Sequence, residues 1–226
     1  MGRVRCTKRP RRGRACAWLA ALACGLACLA GSALAQSCAR APLPAPVVPA
    51  PGFIQSCLSD YFSSLRGSPM DTPVFVQRGA RPGGSLLVVG GTHPGEVAGY
   101  LAAIVLLENA QVAQGRLLII PFANRSAFAL APGAERSPAP LAFTLRDGSV
   151  RSFPVGGRYA DPALMPPDPA SYVHKPSGQS YAGQEGRNLN RVYPGDPDGT
   201  PVEQLAFAIM QVLRQEKVAL AVDLHE

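Results

Sequence analysis

Apolar residues along this chain fall into a few continuous runs separated by helical spacing, and that pattern orders everything else. Ser85–Gly91 (SLLVVGG) and Arg116–Ala123 (RLLIIPFA) are unbroken, branched-rich runs, the pattern of strands covered on both faces. Lys217–Leu224 (KVALAVDL) is a third such run, expected to be the last buried strand. Pro73–Gln77 reads as a shorter strand, followed by a turn at Arg81-Pro82-Gly83-Gly84. Between the first two runs a helix is expected from about Gly95 to Asn109, with Leu101, Ile104, Val105 and Glu108 marking its period. A second helix starts at Thr200-Pro201-Val202-Glu203, where Thr caps, Pro fits the first turn and Glu203 closes a capping box. Its stripe is Val202, Leu205, Ile209, Val212 and Leu213, running to about Gln215. The succession strand–helix–strand, then helix–strand, predicts an α/β domain with a largely parallel sheet.

Two stretches break the pattern. Residues 36–52 carry Pro42, Pro44, Pro46, Pro49 and Pro51 and predict an extended, semi-rigid arm. Residues 126–185 are rich in Pro, Gly and Ser with weak periodicity, and read as a long irregular insertion of the kind that walls a site. The folded domain is accordingly placed at 53–226. No internal repeat is visible.

The 226 residues are 47% hydrophobic and 16% charged, which excludes a disordered chain and suits one domain. The net charge of +7 suggests a nucleic-acid partner until its distribution is considered. Seven basic residues lie between Arg3 and Arg14, and residues 1–35 hold no acid; the remainder has 15 basic and 15 acidic residues. A nucleic-acid surface is therefore not expected. The basic start is followed by an apolar run, Ala15–Leu29, and by Ala33-Leu34-Ala35 before Gln36. That order is a secretory signal peptide over 1–35, implying a periplasmic or secreted protein. The apolar run is short and diluted by Ala and Gly, so no stable membrane span is expected in the mature chain. Of six cysteines, Cys6, Cys16, Cys24 and Cys28 leave with the signal. Cys38 and Cys57 remain as an even pair in an oxidising compartment, a candidate disulfide closing a loop around the arm.

Candidate chemistry sits at strand ends. Gly91-Thr92-His93-Pro94-Gly95-Glu96 follows a buried strand, and the three-residue spacing lets His93 and Glu96 reach one point. Imidazole and carboxylate together suit zinc. His225, in Asp223-Leu224-His225-Glu226, also leaves the carboxyl end of a strand, where α/β sheets gather their ligands. Two His and one Glu leave a fourth position for water, the pattern of a catalytic zinc site holding one ion. Asp223 is placed to orient a ligand. The remaining histidine, His174, lies in the insertion and reads as a surface residue. Gly186-Arg187-Asn188-Leu189-Asn190-Arg191 concentrates guanidinium and amide groups. Arg191 with Asn190 suits a substrate carboxylate, and Arg187 a developing oxyanion. Standing alone, each motif also fits a plain helix start or a polar loop.

Together these motifs resemble the zinc carboxypeptidase superfamily, and within it the succinylglutamate desuccinylase/aspartoacylase family. His93/Glu96, Asn188-Leu189-Asn190-Arg191 and Asp223-Leu224-His225 carry the resemblance, from about Ser85 to Glu226. It implies a three-layer domain with a largely parallel, mixed central sheet, and a zinc-activated water attacking an amide carbonyl of a small or peptidic substrate bearing a carboxylate. Two departures stand out. Asn188 replaces the usual acidic residue of D-L-N-R. The resemblance also implies a general-base glutamate well downstream of the last histidine, so the sequence is expected to be truncated at its C-terminus. Glu226 is a poor substitute, because neighbouring strand residues point to opposite faces. Three readings follow: an N-acyl amino acid deacylase-like hydrolase, an exported zinc carboxypeptidase or amidase for peptides or cell-wall fragments, or an impaired binding protein on the same scaffold. A structural domain with incidental histidines is the plainest alternative.

Overall fold

In the computed structural model, residues 38, 43–128 and 139–226 are described. The signal peptide read at 1–35, part of the arm and residues 129–138 of the insertion lie outside them.

Five strands form one sheet, in the order β1-β2-β4-β3-β9: β1 (Phe53–Cys57), β2 (Pro73–Arg78), β3 (Arg81–Val89), β4 (Gln114–Ile120) and β9 (Leu220–Asp223). β3 pairs in parallel with β4 and β9, while β2 runs antiparallel to both β1 and β4. Four strands thus share one direction and β2 alone opposes them, a mixed sheet. Alternation along the buried runs sorts the two faces. Leu87, Val89, Leu118 and Ile120 pack with Val202, Leu205, Ile209 and Val212 of α4 (Pro201–Gln215). Val88, Leu117 and Ile119 turn the other way, against Ala103 and Leu107 of α2 (Val97–Asn109). Two further single-turn helices are α1 (Leu58–Tyr61) and α3 (Leu189–Val192).

The start of α4 follows its sequence signal. Thr200 Oγ1 accepts from the Glu203 N–H, Glu203 answers by accepting from the Thr200 N–H at 2.8 Å, and Pro201 opens the helix. Three expectations need correction. Arg81–Gly84 is not a turn: it is the first part of β3, with a register shift before Ser85. Gly115 makes this workable, because a Cβ there would lie 2.1 Å from the Gly84 carbonyl oxygen. Helix α2 buries Tyr100, Ala103, Ile104 and Leu107, whereas Val105 is exposed. The helix is apolar around most of its circumference, so its sequence held no stripe to fix the buried face. Finally, β9 is the sheet edge among the described residues and is exposed, with Leu220 at 61%.

The arm is extended and docked on α2. Ala50 N–H donates to the Leu107 carbonyl, Val48 N–H donates to Glu108, and Ala45 is buried beside Tyr100. Cys38 is disulfide-bonded to Cys57, with Cα atoms 5.2 Å apart. The insertion contains two hairpins, β5 (Leu141–Thr144) with β6 (Val150–Phe153), and β7 (Ser171–Val173) with β8 (Ser180–Ala182). Among the described residues no helix is long and apolar enough to cross a membrane.

Candidate metal centre

β3 and β9 run side by side in parallel register, Val89 opposite Asp223, so the chain leaves both at the same edge. After Val89, Gly91 takes φ +73°, a left-handed conformation that glycine adopts without strain. The turn it makes returns His93 over the sheet edge, and Glu96 stands at the N-cap position of α2 with its carboxylate turned away from the helix to the histidines. His225 arrives two residues beyond β9. Gly99 of α2 lets the strand exit come close: a Cβ there would stand 2.4 Å from the Leu224 carbonyl oxygen.

His93, Glu96 and His225 each turn one ligand atom to a common point, all within 4.8 Å of one another. His93 is 3% exposed, with Glu96 and His225 nearer the surface. His93 Nδ1 lies 3.0 Å from Glu96 Oε1, and His225 Nδ1 lies 2.9 Å from Glu96 Oε2. The rings stand edge to face, their centroids 4.9 Å apart.

The tautomers follow from the surrounding hydrogen bonds. Asn190 N–H donates to Asn188 Oδ1 at 3.1 Å, and the same oxygen lies 2.8 Å from His93 Nε2. An amide oxygen only accepts, so Nε2 carries the proton. His225 Nε2 lies 2.9 Å from Asp223 Oδ2, a carboxylate that also accepts from the Thr92 hydroxyl at 2.9 Å. That nitrogen is likewise the donor. With Nε2 so engaged, each ring turns its Nδ1 toward a carboxylate oxygen of Glu96. Ring nitrogens and carboxylate oxygens this close are bridged by a proton or by a cation. Zinc suits the donor set: two imidazole nitrogens and a carboxylate, each ring held from behind by an acceptor. Burial alone would raise the Glu96 pKa, but hydrogen bonds and charge from the histidines hold it below the ordinary carboxylate value. Burial would lower that of His225, yet Asp223 and Glu96 hold it above the ordinary histidine value.

Other candidates are placed differently. Arg187 makes a two-pronged pair with Asp168, Nε and Nη2 each at 2.8 Å, and gives Nη1 to the Ala160 carbonyl. Arg191 is partly exposed, stacked over Tyr181 with Glu185 3.7 Å away, and Asn190 is exposed beside it. His174 is half-buried and links Ser177 Oγ to the Tyr193 carbonyl, holding the β7–β8 hairpin against α3. Glu226 accepts from the Ala98 N–H in the first turn of α2.

Sequence reasoning missed Arg158. Its Nη2 lies 3.3 Å from Glu96 Oε1, which makes it a guanidinium bonded to the triad. It also did not assign Asn188 to His93, although Asn188 stood out as a departure from D-L-N-R. No local pattern marks Arg158.

No protein-family model and no curated protein matches the chain. Solved structures similar to it are succinylglutamate desuccinylase/aspartoacylase family proteins. One is the succinylglutamate desuccinylase/aspartoacylase of Rhodobacter sphaeroides, at 22% identity over 69% of this chain and 33% of that one, TM-score 0.41. A second is a Silicibacter succinylglutamate desuccinylase, at 22% over 83% and 43%, TM-score 0.44. A third is the product-bound ectoine utilization protein EutE (DoeB) of Ruegeria pomeroyi, at 25% over 81% and 43%, TM-score 0.44. The chain thus spans less than half the length of each.

Proposed function

We propose that this chain carries a single-zinc hydrolase site that cleaves an amide bond in a small, carboxylate-bearing substrate. In this reading it acts as an N-acyl amino acid deacylase on a zinc carboxypeptidase-like scaffold. One observation carries the proposal: the ring nitrogens of His93 and His225 and the carboxylate of Glu96 converge, with both rings held from behind by acceptors. Zinc held there supplies Lewis acidity, polarising the scissile carbonyl and making water nucleophilic near neutral pH.

The chain's own residues do the rest. Asn188 and Asp223 hold the Nε2 side of the two rings so that each Nδ1 is directed inward, toward Glu96. Arg158, half-exposed and bonded to Glu96, can turn its guanidinium to the oxygen that gains charge during attack. Arg187, whose donors are engaged by Asp168 and Ala160, braces the loop that carries Asn188. Asn190, exposed, and Arg191, partly exposed, both in α3, hold the substrate carboxylate. Export belongs to the same proposal and rests on the layout of residues 1–35. A mature N-terminus other than Gln36 would speak against it.

A second reading, a zinc-holding binding protein with little turnover, has its own support. The carboxylates beside the cluster are already engaged: Asp223 accepts from His225 and Thr92, and Glu226, whose backbone N–H reaches Glu96, accepts from the Ala98 N–H. Hydrolysis of N-acyl amino acids and of C-terminal dipeptides, with and without chelator, separates the readings. Chelator-sensitive release from N-acyl amino acids supports the deacylase, and release from dipeptides the peptidase. One equivalent of zinc without turnover favours the binding protein, and chelator-indifferent activity excludes a zinc mechanism.

A further inference from the structure

The two histidines of the centre are held by unlike groups. His225 gives its Nε2 proton directly to a carboxylate, Asp223. His93 gives its proton to Asn188, a neutral amide. A metal-bound imidazole normally leans on a carboxylate or a carbonyl that strengthens it as a ligand, so His93 has the weaker partner on first inspection.

The Asn188 side chain does not end the chain of bonds. Its amide NH₂ donates to Glu185 Oε2 at 2.8 Å, and Glu185 Oε1 accepts from the Tyr159 hydroxyl at 2.8 Å. Glu185 belongs to the 3₁₀ turn Gly183–Arg187, and Asn188 follows as its cap, with Asn188 N–H bonded to the Glu185 carbonyl. Such a turn stacks side chains three residues apart, so the pairing is local and set by the sequence Glu185-Gly186-Arg187-Asn188. Asn188 is 1% exposed, which leaves its amide no water to turn toward. A donor polarised by a carboxylate makes the opposite end of the amide a stronger acceptor.

We propose that Glu185 is a positioning residue for the metal: acting through the Asn188 amide, its carboxylate holds the Nε2 proton of His93 and so presents Nδ1 to the ion. The acid missing at position 188 is thereby supplied from position 185. This rests on the reading of His93, Glu96 and His225 as a zinc site, and its test is separable from that reading. Glu185→Gln removes the charge and keeps the shape. Zinc affinity of the full chain, measured by competition with a chromophoric chelator, is expected to fall about tenfold. Adding Asn188→Asp to that variant puts a carboxylate directly on His93 and is expected to restore binding. A role in merely bracing the turn predicts no such rescue. Wild-type affinity in E185Q, or a double variant as weak as E185Q, would overturn the proposal. Should E185Q not fold, Glu185→Asp, which withdraws the charge by one methylene, is expected to weaken zinc binding, and unchanged binding would overturn the proposal. Should the wild-type chain bind no zinc, the zinc reading fails and the relay is decided on the ring itself. Long-range ¹⁵N–¹H spectra of the metal-free protein above the histidine titration range are expected to show His93 in the Nε2–H form. E185Q is expected to lose part of that population, and an unchanged tautomer would overturn the relay.

Discussion

Asn188 accepts the Nε2 proton of His93 at 2.8 Å across 95 residues of sequence, and that bond decides which nitrogen the ring offers to the centre. Asn188→Ala leaves a buried ring N–H without an acceptor and frees the tautomer. Zinc affinity is expected to fall between about 10- and 100-fold, read by chelator competition, with the chain still folded by circular dichroism.

Arg158 touches the triad only through Glu96. If it stabilises developing charge, Arg158→Ala is expected to lower kcat/KM about a hundredfold on an N-acyl amino acid. Zinc content should remain one equivalent. Loss of zinc would instead make Arg158 a brace for Glu96.

Gly99 faces the strand exit that delivers His225. Gly99→Ala would place a Cβ 2.4 Å from the Leu224 carbonyl oxygen, so backbone must move. Destabilisation of about 1–3 kcal/mol is expected, with weaker zinc binding because Leu224 adjoins His225. Urea unfolding together with a zinc titration checks both, and an unperturbed variant would contradict the close approach.

How much of this could be read from sequence depends on the range of each interaction. Helix α4 was legible because Thr200, Pro201 and Glu203 set its start within four residues. His93, Glu96 and His225 were legible because each adjoins a strong strand signal at its carboxyl end. The buried face of α2 was not, since an almost wholly apolar helix carries no period to read. Nor was the Arg158–Glu96 contact, which spans 62 residues and depends on how the insertion folds back. Arg187 shows the converse: its motif was visible, but its partner Asp168 lies in the proline-rich insertion, where no period announces a contact.

The Asp168–Arg187 pair yields a pH signature. The hydrogen bond from Arg187 holds the Asp168 carboxyl below its ordinary value, so the folded pKa lies under the unfolded one. The stability it contributes, under about 1 kcal/mol for a partly exposed pair, is complete above the unfolded value near 3.9 and is lost as pH falls through the folded value. The Tm difference between wild type and Asp168→Asn is therefore expected to hold steady above about pH 5 and to shrink in stronger acid. A difference that grew on acidification would contradict the pairing.

The central claim is that three side chains hold one zinc ion, and metal content is its most direct measure. After incubation with zinc and exhaustive dialysis, elemental analysis of the purified chain is expected to give about one equivalent for wild type. His93→Ala and His225→Ala are each expected to give well under half of that. A wild-type chain without zinc, or zinc undiminished in both variants, would contradict the account.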